Sequence, residues 1–335
     1  MQLFLSLLLL ISSSLFSQEL FVQEEEKNLY RSAVEYSFDE VLDNGSYTFL
    51  FEQINGMINI IGHAGSGTHL IIDNRVHAFS NKNAISILKN SQINVYHDKI
   101  EKVIRIKKMS ERYDHKIIGK IDLHLPFNTN LRGTIKNSDL TISKVRGTIA
   151  INTESTDSDL NNLNGNINIT TRGGNISATK LSGELELTVV SGDINIFECN
   201  ANSMLTMDNG NIFINGLKGN LLSNTTLGET LVSNYEGESS VFNINVGNLK
   251  INKSKSNINA TIDIGSVNIN NIQGATTIFT GKGEINLNNI IGDVNCNTNF
   301  GNVNGINLFG KINANSELGD IETVSYTHLR AHETS

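Results

Sequence analysis

Apolar and polar residues alternate in short runs along the second half of this chain. The stretch Gly192–Ile196, which reads GDINI, is typical of these runs. Alternation with a period of two, rich in β-branched residues, predicts short strands with one buried face. We therefore expect Ile194 and its equivalents to point inward, and Asn195 and its equivalents to point outward.

A glycine opens each run and recurs every nine residues. Glycine fills seventeen of the twenty positions in the series, and one residue is inserted between Gly237 and Gly247. We expect glycine to supply the tight bend between strands, and a fixed period of this kind predicts a repeat architecture. The glycines of the series are Gly147, Gly165, Gly174, Gly183, Gly192, Gly210, Gly219, Gly228, Gly237, Gly247, Gly265, Gly274, Gly283, Gly292, Gly301, Gly310 and Gly319.

A longer period of eighteen residues lies beneath the nine-residue one. Seven residues after the glycine, alternate units carry an apolar residue such as Leu181 or Ile290, whereas the units between them carry polar residues such as Asp263. About ten such coils over Gly147–Glu322, stacked ~4.8 Å apart, would form a rod of ~47 Å. The predicted fold class is therefore all-β: a single-stranded parallel β-helix, or β-solenoid, with about eighteen residues per coil.

Changes in composition and in the repeat pattern divide the chain into segments. Residues 1–17 hold an apolar run followed by serines, which predicts a secretory signal peptide because the run is too short to span a bilayer. We interpret residues 18–45 as a charged lead-in that is flexible or forms a short helix, residues 46–130 as an irregular β cap, and residues 131–323 as the solenoid. Residues 324–335 break the repeat and resemble a translated sequencing adapter, so we interpret them as a non-native tail. The mature chain has no predicted transmembrane segment.

The cap region is predicted to consist of six short strands and one brief helix. An open row of strand donors and acceptors at the end of a solenoid invites aggregation, so a cap is expected there. The predicted helix covers Asn83–Lys89. The predicted strands are Tyr47–Phe51, Met57–Ile61, His69–Ile72, Ile93–His97, Val103–Ile106 and Ile117–Leu125.

The order of these segments resembles a known family. A strand leads into Ile54–Ile60, an irregular β region ends at Ile121–Pro126, and nonapeptides such as the one containing Ser191–Ile196 follow. Over residues 45–322 the chain is similar to the bacterial putative-adhesin family of β-strand-repeat proteins, a domain of unknown function. The resemblance implies a β-helix on an exported bacterial protein. The Asn-rich strands and the inserted residue depart from the family pattern.

The net charge argues against one class of partner, and the positions of the cysteines argue against a disulfide. The formal net charge is −8, and a mildly acidic, Asn-rich surface without basic stripes argues against nucleic acid as a partner. Cys199 and Cys296 lie more than five predicted coils apart, about 25 Å along the rod, whereas a disulfide requires Cα atoms within roughly 7 Å. Both are therefore predicted to be small buried hydrophobic residues.

Three motifs suggest metal or phosphate chemistry that their surroundings do not support. His69, Asp73 and His77 would share one face of a continuous strand, as a metal site requires, but surface histidines are the favoured interpretation. The stretch Gly62–Gly67 lacks the Lys-Ser/Thr ending of a phosphate loop and predicts a turn. The acidic turn residues are too scattered to supply the six or more converging oxygens of a calcium site. We expect no metal and no cofactor.

Columns of asparagine are the first candidates for ligand binding. Asn268, Asn286 and Asn304 recur every eighteen residues and should stack coil upon coil with their amides pointing outward. The favoured interpretation is an amide ladder that stabilises the rod, and the alternative is a flat polar face that recognises a glycan. A similar column on the other sheet, interrupted by Thr277, consists of Asn259, Asn295 and Asn313.

A lysine cluster is the second candidate. Lys250, Lys253 and Lys255 follow the inserted residue closely. They are interpreted either as a solvated edge or as a contact for an anionic glycan.

The same pattern of residues decides the predicted function. The solenoid has no histidine and no adjacent pair of aspartates, so the clustered groups of a glycan-cleaving enzyme are not visible. We predict an exported, non-enzymatic, adhesin-like scaffold of the periplasm, cell surface or extracellular space, with glycans or cell-surface components as partners. Two alternatives stay open: a carbohydrate-active β-helix lyase or hydrolase, and a structural element that associates end to end into filaments.

Overall fold

The computed structural model of this chain describes residues 21–110 and 117–324. The predicted signal peptide over residues 1–17 and the tail beyond residue 324 lie outside the described residues. The N-terminal elements are β1 (Gln23–Glu26), β2 (Leu29–Phe38), β3 (Thr48–His63), β4 (Thr68–His77), α1 (Asn81–Asn90), β5 (Ile93–Asp98), β6 (Val103–Lys108) and β7 (Ile117–Pro126).

The remaining strands follow one another along the chain without a helix. They are β8 (Asn130–Ser143), β9 (Arg146–Asn161), β10 (Asn164–Thr171), β11 (Ile176–Thr179), β12 (Ser182–Ser191), β13 (Ile194–Phe197), β14 (Asn200–Asn209), β15 (Ile212–Asn215), β16 (Leu221–Leu227), β17 (Thr230–Val246), β18 (Leu249–Ile264), β19 (Val267–Gln273), β20 (Thr276–Lys282), β21 (Ile285–Ile291), β22 (Val294–Phe300), β23 (Val303–Phe309), β24 (Ile312–Leu318) and β25 (Ile321–Val324).

These strands wind into a β-solenoid, as the sequence predicted. The rod has about 11 turns, and parallel partners are about 18 residues apart along the chain. Ile167, for example, pairs with Ile149 in the coil before it and with Leu185 in the coil after it. Aliphatic residues therefore stack on aliphatic residues, and one continuous core runs along the axis.

Each coil consists of two half-coils that differ in their turns. We count positions from the glycine of each unit, and its substitutes, as position 0. In type 1 half-coils the residues at positions 2, 4 and 7 face the core, and these half-coils begin at Thr156, Gly174, Gly192, Gly210, Gly228, Gly247, Gly265, Gly283 and Gly301. In type 2 half-coils the inward positions are 2, 4 and 6, and these half-coils begin at Gly147, Gly165, Gly183, Ala201, Gly219, Gly237, Ser256, Gly274, Gly292 and Gly310. In the half-coil that begins at Gly237 the inserted residue is left out of the count, so its inward residues are Ser240, Phe242 and Ile244.

Burial separates the two types clearly. Position 7 of type 1 is at most 3% exposed at Leu163, Leu181, Cys199, Leu217, Tyr235, Ile272, Ile290 and Leu308. Position 6 of type 2 is at most 2% exposed at Thr171, Val189, Met207, Thr225, Ile262, Thr280 and Thr298. The sequence predicted the first column, but it did not reveal the second because more than half of that column is threonine.

The backbone of the type 1 turn explains the difference in register. Its sixth residue has a left-handed conformation, with φ of 58° at Asn271 and 57° at Asn289. The left-handed residue interrupts the alternation of inward and outward side chains. Position 7, rather than position 6, therefore faces inward. Asparagine adopts left-handed backbone more readily than most residues, which accounts for its frequency there.

Where the backbone of position 0 has positive φ, glycine serves the stacking of coils as well as the bend. Gly265 has φ of 148°, and a Cβ atom on it would lie 1.7 Å from the carbonyl oxygen of Gly247 in the preceding coil. No side chain can occupy that space without moving the backbone.

The residue after the glycine has a further role that the sequence did not reveal. The backbone N–H of Asp193 donates to Asn175 Oδ1 at 2.9 Å, and the N–H of Asn211 donates in turn to Asp193 Oδ1 at 2.8 Å. The N–H of Glu229 continues the series by donating to Asn211 Oδ1 at 3.0 Å. Short polar side chains at position 1 therefore link one coil to the next along the axis.

The inserted residue is absorbed as a bulge in the type 2 half-coil. The parallel register of β17 with β18 shifts between Glu236 and Ser239. The buried Tyr235 hydroxyl lies 2.8 Å from the carbonyl oxygen of Gly219 and 2.9 Å from that of Ser239. Burial raises the pKa of Tyr235, so the hydroxyl stays protonated as a donor beside the bulge.

In the N-terminal region, strands that are neighbours in the sheet are not neighbours along the chain. Strand β3 pairs in parallel with β8, with Phe49 opposite Leu131, so β3 already belongs to the stack. On its other edge β3 pairs in parallel with β6 and β7. Antiparallel strands then end the stack, since β4 pairs with β7, β2 with β4, β1 with β2, and β5 with β6.

The predicted strands and helix of this region are mostly confirmed. All six predicted segments are extended, but the first two belong to the single strand β3. The predicted helix is α1, where Ser80 Oγ accepts from the N–H of Asn83 at 3.3 Å. The expectation of a flexible or helical lead-in is wrong for Leu29–Phe38, which form strand β2. Antiparallel pairing with β4 overrides the local signal of a charged segment.

Candidate binding groove

Outward side chains of four successive type 1 half-coils enclose a shallow groove. Positions 3 of these half-coils are Phe213, Leu231, Lys250 and Asn268, which are neighbours in the parallel register. The groove has a volume of about 420 Å³. Its lining is Phe213, Leu231, Val232, Ser233, Lys250, Ile251, Asn252, Asn268, Asn270 and Asn271.

One end of the groove is apolar and aromatic. Phe213 is 36% exposed, and its ring centroid lies 5.6 Å from that of Phe197 in the preceding coil, with 47° between the ring planes. Aromatic faces of this kind favour contact with apolar surface on a ligand. Sequence analysis missed this pair; the available signal was an aromatic residue at an outward position of two successive type 1 half-coils.

The middle of the groove carries one positive charge. Lys250 Nζ lies 3.9 Å from Glu229 Oε2, and Glu229 Oε1 accepts from Asn248 Nδ2 at 3.1 Å. Both charged side chains are well exposed to solvent, so the ion pair is screened and weak. The ammonium group is therefore available to an anionic or hydroxyl-rich ligand at low cost.

The other end of the groove opens onto a surface of amides, which we call the amide face. It comprises Asn252, Asn268, Asn270, Asn271, Asn286, Asn288, Asn289, Asn304 and Asn307. Amides donate along the axis from Asn271 to Asn252 (3.1 Å), from Asn289 to Asn271 (2.7 Å) and from Asn304 to Asn286 (2.8 Å). An amide has two donors and two acceptor lone pairs, so each ladder member keeps capacity for a ligand.

The structure brings together only part of the predicted set of candidates. Lys250 and Asn268 line the groove, and Asn286 and Asn304 continue the same column beyond it. Lys253 occupies a left-handed turn with φ of 66°, and Lys255 lies past that turn, opposite Glu236 in the register. Of the three lysines, only Lys250 lines the groove, and ligand binding by any candidate stays a prediction.

The second predicted column lies on the type 2 face. Asn259, Thr277, Asn295 and Asn313 are successive partners in the register. Asn313 Nδ2 donates to Asn295 Oδ1 at 3.1 Å. This column repeats the ladder chemistry without the aromatic pair and lysine of the groove.

The histidine motif and the glycine-rich stretch both lie in the N-terminal region, where their residues have structural roles. Asp73 accepts from Arg31 Nε at 3.0 Å and lies 3.4 Å from Arg75 Nη2, so its carboxylate is already engaged. Across residues 21–110 and 117–324, no three His, Cys, Asp or Glu side chains converge as a metal site requires. The stretch Gly62–Gly67 ends β3 and turns into β4, which confirms the predicted turn.

Both cysteines are buried and free, as predicted. Burial raises the pKa of Cys199 and raises that of Cys296 to about 11. Both thiols therefore stay protonated at neutral pH and behave as small hydrophobic groups.

Comparison with known proteins finds no related sequence and several solved structures of low similarity. No family model matches the chain, and no curated protein matches it. In the part of the chain that the structure describes, no helix has the length and apolar character needed to cross a bilayer.

Solved structures similar to this chain come from bacteria. A "putative cell adhesion protein" from Clostridium sporogenes is 8% identical, with 88% of this chain and 100% of that chain covered and a TM-score of 0.23. A "putative adhesin" from Bacteroides fragilis is 13% identical, with coverage of 87% and 97% and a TM-score of 0.25. A "putative adhesin" from Parabacteroides merdae is 10% identical, with coverage of 88% and 96% and a TM-score of 0.25. The names agree with the resemblance that the sequence predicted, and at these scores they carry no argument about function.

Proposed function

We propose that this protein is an exported, non-enzymatic β-solenoid scaffold of the cell envelope or surface, and that it acts in adhesion by binding a glycan. The observation that carries the proposal is the groove on the type 1 face. It combines an aromatic end, one ammonium group and a field of amides along four successive coils.

This combination matches the surface of a sugar. A pyranose ring presents a face of C–H groups and a rim of hydroxyls. The C–H face suits Phe213 and Leu231. The hydroxyls can accept from the Lys250 ammonium, and they can both accept from and donate to the amides of Asn268 and Asn270. Carboxylates or sulfates on the glycan would find the ammonium group of Lys250 as well.

The lining also supports binding without turnover. It contains one lysine and no aspartate or glutamate. Glycoside hydrolases use a pair of carboxyl groups that flank the bond, roughly 5–10 Å apart. The groove residues supply no such pair, so the same surface favours a scaffold over the hydrolase alternative. A lyase needs no such pair, and the release of unsaturated ends tests that alternative.

A direct test is binding of the purified protein to a glycan array containing neutral and anionic polysaccharides, followed by titration of any positive glycan. We expect Phe213→Ala to weaken binding about tenfold, which corresponds to about 1.4 kcal/mol. Phe279→Ala is the matched control, because Phe279 is a similarly exposed phenylalanine on the type 2 face (40% against 36%).

Several outcomes would contradict the proposal. Equal losses of glycan affinity for Phe213→Ala and Phe279→Ala would mean that the groove is not the binding site. Release of new reducing or unsaturated ends from a bound polysaccharide would favour the enzyme alternative. Binding to no glycan and to no bacterial cell would reject adhesion through sugars.

A further inference from the structure

Exposed apolar side chains form a line along one corner of the rod. They occupy position 8 of successive type 2 half-coils, where the coil turns into the next type 1 half-coil. Leu227 pairs with Val246, Val246 with Ile264, Ile264 with Lys282, Lys282 with Phe300, and Phe300 with Leu318. We call these six residues the corner stripe.

The corner stripe has the character of an interaction surface. Its five apolar members are between 42% and 64% exposed. With five steps of about 4.8 Å, it is ~24 Å long. Contiguous apolar surface of this kind on a soluble protein marks a site of association more often than isolated exposed residues do.

The stripe is complementary to itself when the direction of one rod is reversed. A two-fold axis midway between Ile264 and Lys282 places Ile264 of each copy opposite Lys282 of the other. The same operation places Val246 opposite Phe300 and Leu227 opposite Leu318, so apolar rungs meet apolar rungs. An arrangement of this type is closed and isologous.

The two charged groups near the axis support this register. Asp263 precedes Ile264, and after the two-fold operation it faces Gly281, the residue before Lys282. Gly281 has no side chain, which leaves space for the Asp263 carboxylate beside the Lys282 ammonium of the other copy. Within the described residues, neither Asp263 nor Lys282 has an ion-pair partner in its own chain.

We propose that the corner stripe is the interface of a side-by-side antiparallel homodimer. The stripe and its flanking columns cover on the order of 400 Å² per copy, about half of the ~800 Å² that each partner contributes to a stable complex. Glu229 and Asp320 also approach each other at both ends of the interface, which opposes association. The dimer is therefore weak and forms at high local concentration, as on a crowded cell surface.

Sedimentation velocity of the purified full-length chain over about 10–500 µM tests this association. We expect a reversible shift from monomer towards a closed dimer at the upper concentrations. Ile264→Lys should abolish the shift. Ile291→Lys is the matched control, because Ile291 has nearly the same exposure (53% against 52%) and lies at the other corner of the coil, so it should dimerise like the parent protein.

Charge exchange tests the register. Lys282→Asp alone should weaken the dimer about fivefold, and the exchange Asp263→Lys with Lys282→Asp should restore it, because the two contacts are then simply reversed. The pair Leu227→Cys and Leu318→Cys gives a second test under mild oxidation. A disulfide should join position 227 of one copy to position 318 of the other, while the buried native thiols stay unreacted.

Three results would overturn the proposal. These are a monomer at every concentration, equal behaviour of Ile264→Lys and Ile291→Lys, or disulfides that join position 227 to position 227, which would indicate parallel rods. Species that keep growing beyond two copies would favour end-to-end association instead. The proposal is independent of glycan binding, because the corner stripe and the groove share no residue.

Discussion

The two half-coils of each winding form equivalent strands but very different turns. In type 1, the sixth residue has a left-handed backbone, is exposed or half-buried and is often asparagine, and the seventh residue is buried. In type 2, the sixth residue is itself buried and is aliphatic, threonine or methionine. One nine-residue sequence rhythm therefore contains two turn chemistries, which is why the structural repeat is eighteen residues.

The difference between the two turns also places the two proposed binding surfaces on different parts of the rod. The type 1 turn adds outward amides at positions 5 and 6, so the amide face and the groove develop on that side. The type 2 turn leaves position 8 at a corner, where the corner stripe runs. Glycan binding and association of rods are thus assigned to different turns of the same coil.

The largest expected effect comes from adding a charge at position 7 of each half-coil. Leu181→Asp places an unpaired carboxylate at a site 1% exposed, and we expect it to destabilise the rod by about 4 kcal/mol or more. Val190→Asp changes the same position of the next half-coil, which is 41% exposed, and should cost less than about 0.5 kcal/mol. Urea unfolding measures both, and equal losses would mean that the two turns are alike.

A methyl group at position 0 should give the next largest loss. Gly265→Ala would bring Cβ against the Gly247 carbonyl oxygen at φ of 148°, which should cost at least about 3 kcal/mol. Gly45→Ala in the cap is the control, since its Cβ has open space and its φ is 73°; about 1 kcal/mol is expected. Thermal unfolding compares the two, and a smaller loss at Gly265 would contradict tight stacking of the coils.

A β-branched residue tests the left-handed turn of type 1. Asn289→Val forces valine into φ of 57°, and we expect a loss of about 1–2 kcal/mol. The adjacent Asn288→Val replaces an outward residue of β21, where valine suits a strand, so it should be neutral within about 0.5 kcal/mol. Similar stabilities for the two variants would argue that position 6 is not left-handed.

The smallest effect concerns the hydrogen bonds between coils at position 1. Asn211→Ala removes the oxygen that accepts from the N–H of Glu229, and we expect a loss of about 0.5–1 kcal/mol with faster exchange of that amide proton. Asn209→Ala alters an exposed residue two places earlier and should leave both quantities unchanged. If the amide proton of Glu229 exchanges at the same rate in Asn211→Ala as in the parent protein, the hydrogen bonds between coils at position 1 do not stabilise the rod.

The sequence was enough to predict the solenoid because its signals are local and repeated. The glycine period, the alternation of Ile and Asn, and the apolar column at position 7 each reappear coil after coil. The place of β3 could not be predicted in the same way. It pairs with β8 across 82 residues, from Phe49 to Leu131, and no period connects them.

The groove was predicted only in part for a related reason. Lys250 and Asn268 were identified separately, as a cluster and as a column, although they are one eighteen-residue period apart and pair in the register. Leu231 pairs with Lys250 across nineteen residues, because the inserted residue lies between them. The aromatic pair of Phe197 and Phe213 breaks the polar pattern at single positions, so period analysis passes over it. Surface features that occur once are the ones that a repeat conceals.

The account depends most on the stacking of eighteen-residue coils at a fixed distance. Spin labels at outward position 5 test it directly, with Thr179→Cys paired with Asn270→Cys in one sample and with Asn288→Cys in another. Five and six coil intervals predict distances near ~24 Å and ~29 Å, so eighteen further residues should add only about 4.8 Å. Distances that do not increase by this step, or broad distributions in both samples, would contradict the solenoid.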